Sequence, residues 1–414
     1  MSETQASSHT NPVTSADRFE SLDILRGIAV LGILLVNVQA FTMAYAAYSY
    51  PPAHMDVSGA NGLTWLLTHI FFELKFITIF SALFGAGVIL MVGPDKDASR
   101  KLHYSRMRWM LVFGLIHMFA FWFGDILTSY ALAGFIIVAF RHLSPTKLIV
   151  WGLVWVLLSG LLMFALFGSM ALAPAEMRDP VNFGLALSPE DLSELVDQYT
   201  SGYLSSRMPN AFAGIMNLVA IVMFGGRLIG IMFFGMALFK MGFLTAQWSV
   251  RAYLAGVVIG LGIGVPVIAI PAQAALDAGF PVETMWVHTM ANYFGSLFVA
   301  FGYASLVMII AKTPWLALIR MPFAAAGRMA FTNYLMQTLI MVFLTVGGIG
   351  LGLFGQLERV EQFQIVLAIW VFQLILSPLW LSVFRFGPME WLWRSLSYGS
   401  FQPMSKPKPT PSST

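Results

Sequence analysis

The sequence contains no cysteine. This absence excludes disulfide bonds, thiolate metal ligands and a cysteine nucleophile. Charged residues are also scarce: they make up 10% of the 414 residues, against roughly 25% in soluble domains. Such a chain cannot cover its surface with well-solvated groups, so a water-soluble protein is excluded. The isoelectric point near 9.0 does not indicate nucleic-acid binding, because the basic residues lie in short connections between apolar segments.

What the sequence does contain is a series of ten apolar segments, judged against the ~20 residues that a membrane-spanning helix needs. Most Lys and Arg residues fall in alternate connections, which places both termini in the cytoplasm by the positive-inside rule. We therefore predict an all-α, polytopic membrane protein with about ten transmembrane helices. The segments are 22–45, 71–92, 107–123, 125–140, 147–168, 211–239, 252–271, 290–311, 329–351 and 363–384.

Two neighbouring segments, 107–123 and 125–140, are at the lower limit of spanning length. The alternative is therefore eight spans plus a re-entrant hairpin at 107–140, which leaves the orientation of every other span unchanged. The first apolar run, 24–47, resembles a signal peptide but is longer than the apolar part of one. We expect it to be a retained span.

The longest connection divides the chain into two membrane halves. We predict a five-helix half at 18–168, an extracytoplasmic loop with one short amphipathic helix at 169–210, and a second five-helix half at 211–396. The polar ends, 1–17 and 397–414, are predicted to be disordered cytoplasmic tails. No internal repeat is evident, so sequence symmetry does not favour a transporter built from inverted repeats.

Ionisable residues inside spans are costly and are candidate binding residues. Asp23 and Arg26 share a face at the start of the first helix, as an interfacial ion pair or as a site for a phosphate or carboxylate. Lys75 either snorkels outward or faces a partner in the bundle. Arg227 lies among glycines in a long apolar run, where it either pairs with an acid such as Asp125 or binds an anionic group.

Three titratable groups lie around the turn at Gly124, namely His117, Asp125 and Tyr130. Asp125 begins a helix, so it is either an N-cap or part of a site. Antiparallel helices would bring His117 and Tyr130 to a similar depth. His117 is either held by structural hydrogen bonds or acts as a general base facing a polar cavity. It is our candidate catalytic residue.

A second polar group consists of Asn333 and Gln337, four residues apart in a helix that Arg328 opens. Interhelical hydrogen bonds explain this stripe as readily as ligand binding does. The seven histidines show no ligand spacing, so we propose no metal.

Several stretches of the sequence, taken in combination, resemble a known family. They are Asp23-Ile-Leu-Arg26-Gly27, Lys75-Phe-Ile-Thr-Ile-Phe80, Gly124-Asp125-Ile-Leu, Gly327-Arg328-Met-Ala-Phe-Thr332-Asn333-Tyr334 and Gly387-Pro388-Met-Glu390-Trp391. Together they resemble the YeiB-like family of bacterial inner-membrane proteins, whose C-terminal part is a domain of unknown function. The resemblance covers about 20–396. It implies a multi-pass inner-membrane protein and supplies no activity.

A more distant resemblance is to transmembrane acyltransferases, which pass an acyl group from cytoplasmic acyl-CoA to an acceptor across the membrane. The shared elements are the Asp23, Arg26 and Asn37 pattern and the Asn61-Gly62 pair. In the heparan-glucosaminide type, a catalytic histidine shortly precedes that Asn-Gly pair. Here His54 lies seven residues before Asn61, at a different spacing, so we assign it no role.

This resemblance implies a membrane acyltransferase as the first hypothesis. Acyl-CoA would be the donor substrate, and no other cofactor can be named. Its phosphates would bind to a basic inner vestibule, and His117, or with less support His54, would take a proton from the acceptor. The vestibule residues are Arg26, Arg106, Arg108 and Arg328.

The second hypothesis is a transporter or exporter of a small metabolite or lipid, with Lys75, Asp125 and Arg227 lining its path. A non-catalytic membrane scaffold is the third. In each case the partners are the lipid bilayer and, for the first two, a small-molecule or lipid substrate. Nucleic acid is not a partner, and the oligomeric state stays open.

Overall fold

A computed structural model of the chain describes residues 19–93 and 97–406. These residues form sixteen α-helices and no named strand. The helices are α1 Glu20–Thr42, α2 Ala46–Ser49, α3 Gly59–Phe71, α4 Lys75–Val92, α5 Asp97–Ile116, α6 Leu127–Ile137, α7 Pro145–Ala171, α8 Pro189–Ser201, α9 Arg207–Phe224, α10 Gly226–Lys240, α11 Val250–Asp277, α12 Met285–Lys312, α13 Ala317–Arg328, α14 Ala330–Thr345, α15 Arg359–Val383 and α16 Pro388–Tyr398. The predicted tail at 1–17 and residues 407–414 lie outside the described part.

Seven of the described helical elements are long and apolar enough to cross a membrane, and two shorter apolar helices, Leu127–Phe140 and Ala330–Thr345, accompany them. This confirms the predicted all-α, polytopic membrane architecture. Each of the ten predicted apolar segments is largely helical. The choice between spanning helices and a re-entrant hairpin at 107–140 stays a prediction.

Two of the apolar helical elements are interrupted. The predicted span at 71–92 corresponds to α4, and α3 precedes it, so that the two form a 34-residue element with a break at 72–74. In the break Leu74 adopts the left-handed conformation, with φ of 65°, which a residue with a Cβ rarely does. The predicted span at 211–239 divides at Gly225 into α9 and α10. Interrupted spans free backbone groups and half-helix ends inside the membrane.

Helix α1 occupies the middle of the bundle, whereas α9 lies at its lipid-facing edge. In the most apolar stretch of α1, 83% of residues are buried, against 11% in α9. Around α1 pack α4, α13 and α14. The most sheltered positions in the molecule are therefore those that face α1 and its immediate neighbours.

Helices α4 and α10 approach each other closely because both carry glycine at the contact. A Cβ at Gly85 would collide with the backbone of Met232, and one at Gly235 with the backbone of Ala82. Small residues of this kind let two membrane helices pack backbone against backbone. This contact fixes the two interrupted spans side by side.

Replacing Gly85 by Leu should force α4 and α10 apart and lower the free energy of unfolding by about 1–3 kcal/mol or more. The measurement is thermal unfolding of the purified protein in detergent. Gly87→Leu is the matched control, since a Cβ at Gly87 meets nothing within 4 Å. Equal melting temperatures for the two variants would contradict this account of the packing.

The amphipathic helix α16 packs at the end of the bundle that the sequence assigns to the cytoplasm. The Glu390 carboxylate accepts hydrogen bonds from the backbone N–H groups of Phe331 (2.7 Å) and Thr332 (3.1 Å), at the start of α14. The Thr332 hydroxyl donates to the same carboxylate. Burial raises the pKa of Glu390 above its usual 4.5, against the opposing effect of these bonds. The segment after α16 pairs back through Phe384 and Ser405.

Candidate functional site

Buried and half-buried polar side chains from four helices and from the α3–α4 break itself lie close together. We call this group the polar centre. It consists of His69, Glu73, Lys75, Arg227, His288 and Asn292.

An imidazole–carboxylate pair forms one side of the polar centre. Nδ1 of His69 lies 2.8 Å from Oε2 of Glu73, four residues later. A carboxylate only accepts, so Nδ1 carries the proton and the lone pair of the neutral ring is on Nε2. Nε2 is buried and has no hydrogen-bond partner among the described residues. His69 is thus an oriented imidazole with a free basic nitrogen.

Lys75 is fully buried and faces the interior of the bundle. Its ammonium donates to the His69 carbonyl at 2.5 Å and to Oδ1 of Asn292 at 2.6 Å. Among the described residues, Glu73 is the carboxylate whose charge acts on Lys75. Of the two readings of Lys75, the structure supports the interior one.

Arg227 lies in the first turn of α10 and reaches across to α4 and α12. Its guanidinium donates to the hydroxyls of Thr78 (3.2 Å) and Ser296 (2.9 Å), and it lies 5.0 Å from the ring centroid of Tyr293. It does not pair with Asp125, which is bonded elsewhere. Its hydrogen-bond partners are therefore neutral.

A narrow cleft lies beside the polar centre, on the side of the bundle that the sequence assigns to the outside. Its cavity volume is about 10 Å³, roughly one water. Trp65 lines the cleft, and its ring stacks on His69 with centroids 4.9 Å apart.

The candidate catalytic residue His117 lies in a different buried network. Nδ1 lies 2.8 Å from Oδ1 of Asp125, and Nε2 lies 2.9 Å from Oγ1 of Thr338. Asp125 also accepts from the backbone N–H of Thr128, as an N-cap would. Both ring nitrogens are thus bonded, and His117 lines neither the outer cleft nor a shallow pocket beside Leu339.

Tyr130 does not join this network. Its hydroxyl lies 2.7 Å from the Ser81 hydroxyl on α4. The phenol that approaches His117 is instead Tyr334, with ring centroids 5.2 Å apart. The structure therefore brings together His117 and Asp125 and separates both from Tyr130.

Asn333 and Gln337 form hydrogen bonds between α14 and α15. Asn333 donates to Ser377 at 3.1 Å, and Gln337 donates to Gln373 at 2.9 Å. Gln373 in turn donates to the Asn333 carbonyl. Both predicted residues are fully buried, and this network is interhelical packing of the kind that polar groups provide in membranes.

The remaining predicted residues lie on the side assigned to the cytoplasm. Asp23 and Arg26 form an ion pair at 3.0 Å, and Arg328 donates to the Arg385 carbonyl. The Arg106 guanidinium lies 4.2 Å over the Trp393 ring of α16. None of these basic side chains lines the outer cleft.

His54 has a structural role in the outer loop. Its Nδ1 accepts a hydrogen bond from the Ala44 backbone N–H at 2.9 Å. Nearby, Asn61 connects the loop to the start of α15, donating to Glu358 at 3.0 Å and accepting from the Val360 N–H. The Asn61-Gly62 pair therefore joins two parts of the outer surface.

Acidification should destabilise the outer loop through His54. Burial, and secondarily the nearby Arg359, lower the pKa of His54 below 6.5. The unfolded chain then binds a proton that the folded protein does not, so stability is full above pH 6.5 and falls as the pH drops below it. Melting temperature is measured from pH 4 to 8, with His54→Gln as control. If the melting temperatures of the parent protein and of His54→Gln fall equally as the pH drops below 6.5, the prediction is wrong.

Sequence reasoning missed His69, His288 and Asn292. One signal was present: His69 and Glu73 are four residues apart and share a helix face. His288 reaches the centre only through packing, with its ring 5.8 Å from that of His69. Within the described residues no group of three or more His, Asp or Glu is arranged to hold a metal.

The long apolar helices define an integral membrane protein, and the polar centre lies within the bundle that they form. Residues 238–400 match the family described as "Protein of unknown function (DUF418)". The chain is 32% identical over 391 residues to "Uncharacterized protein YeiB" of Escherichia coli (strain K12), covering 92% of this chain and 96% of that protein. It is 30% identical over 431 residues to "Uncharacterized protein YxaH" of Bacillus subtilis (strain 168), covering 96% and 99%. The chain belongs to the YeiB-like family.

Proposed function

We propose that the chain is a membrane-bound acyltransferase of the bacterial inner membrane, with His69 as its general base. The observation that carries this proposal is the His69–Glu73 pair with its free Nε2. A carboxylate that orients an imidazole and leaves the other nitrogen available is the arrangement that activates hydroxyls and other weak nucleophiles. His117, with both nitrogens bonded, has no comparable opening.

The chemistry requires two substrates. An acceptor hydroxyl or amine would enter by the outer cleft and give its proton to Nε2 of His69. Its oxygen or nitrogen would form the new bond to the acyl carbon as the thioester C–S bond breaks, and His69 would then return the proton to the departing thiolate.

The donor would be acyl-CoA on the cytoplasmic side. Arginines near α16 supply positive charge there, and Arg106 and Arg394 act on each other electrostatically. Guanidinium groups bind phosphate by paired, charge-assisted hydrogen bonds. This arrangement supports binding of the CoA phosphates at that end of the bundle.

The direct test is an assay of thiol release. Purified full-length protein is incubated with acetyl-CoA and a bacterial envelope extract as the source of acceptor, and free CoA is detected with a thiol reagent. The chain has no cysteine, so the protein adds no background. Absence of acetyl-CoA binding, together with identical acylated products in membranes from deletion and parent strains, would refute the proposal.

The alternative is a transporter of a small metabolite or lipid, and one observation favours it. Both interrupted spans, α3–α4 and α9–α10, place a cation beside the interruption, at Lys75 and Arg227. Discontinuous helices with charged sites at mid-membrane are common in secondary transporters. Uptake of a labelled substrate into proteoliposomes without CoA release would favour this alternative over acyl transfer.

A further inference from the structure

The polar centre contains two basic side chains, Lys75 and Arg227, and one carboxylate, that of Glu73. Lys75 is fully buried, and its hydrogen-bond partners are the His69 carbonyl and the Asn292 side chain. Arg227 donates to the hydroxyls of Thr78 and Ser296 and to the Tyr293 carbonyl. All of these partners are neutral, and a basic group inside a bundle of apolar helices is stabilised by a negatively charged partner.

The centre also has a hydrogen-bond donor without an acceptor. Lys75 can only donate, so the Asn292 atom that it contacts must be the oxygen, and Nδ2 points elsewhere. Nδ2 is buried, in a residue 1% exposed, and has no partner in the described part of the chain. The same is true of Nε of Arg227, which also only donates. Both atoms need an acceptor.

The helix ends favour the same kind of ligand. Helix α4 begins at Lys75 and α10 begins at Gly226, and the Arg227–Thr78 hydrogen bond shows that their first turns meet. The N-terminus of a helix carries partial positive charge and stabilises an anion. The basic side chains, the donors without acceptors and the two helix N-termini thus all lie in or beside the polar centre.

We propose that the polar centre binds a small oxyanion, a carboxylate or phosphate group carried by the acceptor substrate, between Lys75, Arg227 and Asn292. This rests on the proposed function in one respect only: that the same centre binds the acceptor. The anion pairs with the basic side chains of Lys75 and Arg227 and accepts from Nδ2 of Asn292. It also leaves the His69 Nε2 lone pair free to act on the acceptor.

The experiment measures anion-dependent thermal stability of the purified full-length protein in detergent. Acetate, inorganic phosphate and chloride are titrated separately at constant ionic strength. We expect saturable stabilisation by acetate, phosphate or both. Loss of a charged hydrogen bond should raise the half-saturating concentration about tenfold or more in Lys75→Met and in Arg227→Gln. Lys312→Met, which removes an exposed cation, is the matched control.

Arg227→Lys is included in case Arg227→Gln does not fold. It keeps the positive charge, so it should retain saturable anion binding. Three results would overturn the proposal. Either no anion stabilises the parent protein, or all variants are stabilised equally, or chloride alone stabilises the protein. The readout is independent of acyl transfer, because His69→Gln should keep the anion response. Anion binding without any CoA release would refute the proposed function and leave this inference standing.

Discussion

Replacing His69 by Gln should lower the rate of acetyl-CoA-dependent thiol release by about 10²–10⁴-fold, the usual contribution of a general base. Gln can keep a hydrogen bond to Glu73 but has no basic nitrogen. Binding of acetyl-CoA should be unchanged, because its phosphates lie at the other end of the bundle in our proposal. The measurement is initial rate and binding on the same preparations.

His117→Gln is the matched control, since it makes the same change at a buried histidine that is also bonded to an acid. We expect this variant to melt at a lower temperature, because it disturbs buried hydrogen bonds, and to keep its rate per folded molecule. Loss of rate in His117→Gln, with full rate in His69→Gln, would return the catalytic role to His117.

Replacing Glu73 by Gln should lower the free energy of unfolding by about 3–5 kcal/mol, because it leaves two cations without a buried counter-charge. The variant keeps an oxygen that can accept from His69, so the charge is the main change. Thermal unfolding of the purified protein measures the effect. Glu190→Gln, on the exposed helix α8, is the control.

A double variant isolates the electrostatic cause. Adding Lys75→Met to Glu73→Gln removes one of the two cations, so the pair should be more stable than Glu73→Gln alone. If the losses of stability caused by Glu73→Gln and Lys75→Met simply add, the proposed electrostatic interaction within the polar centre is wrong.

The sequence was enough to predict the fold class, because twenty-residue apolar runs have few alternatives to a membrane helix. The same logic singled out Lys75 and Arg227: a charge within such a run is rare enough to be noticed alone. The helix break at Leu74 could not be predicted, because it contains no glycine or proline.

The histidines show the limit of that logic. His117 and Asp125 were found because they are close in sequence, and they do meet. His69 and His288 are separated by more than two hundred residues, and each is unremarkable within its own helix. They meet because α3 packs against α11 and α12. That packing cannot be predicted from one sequence without homologues.

The bond between Glu390 and the start of α14 has a consequence for biosynthesis. The backbone N–H groups of Phe331 and Thr332 donate to a carboxylate that lies 59 and 58 residues further along the chain. At about 5–20 residues per second, a ribosome makes that carboxylate some 3–12 s after the start of α14. Until then α14 leaves the ribosome without its cap. Helix α16 therefore completes a helix that was translated several seconds before it.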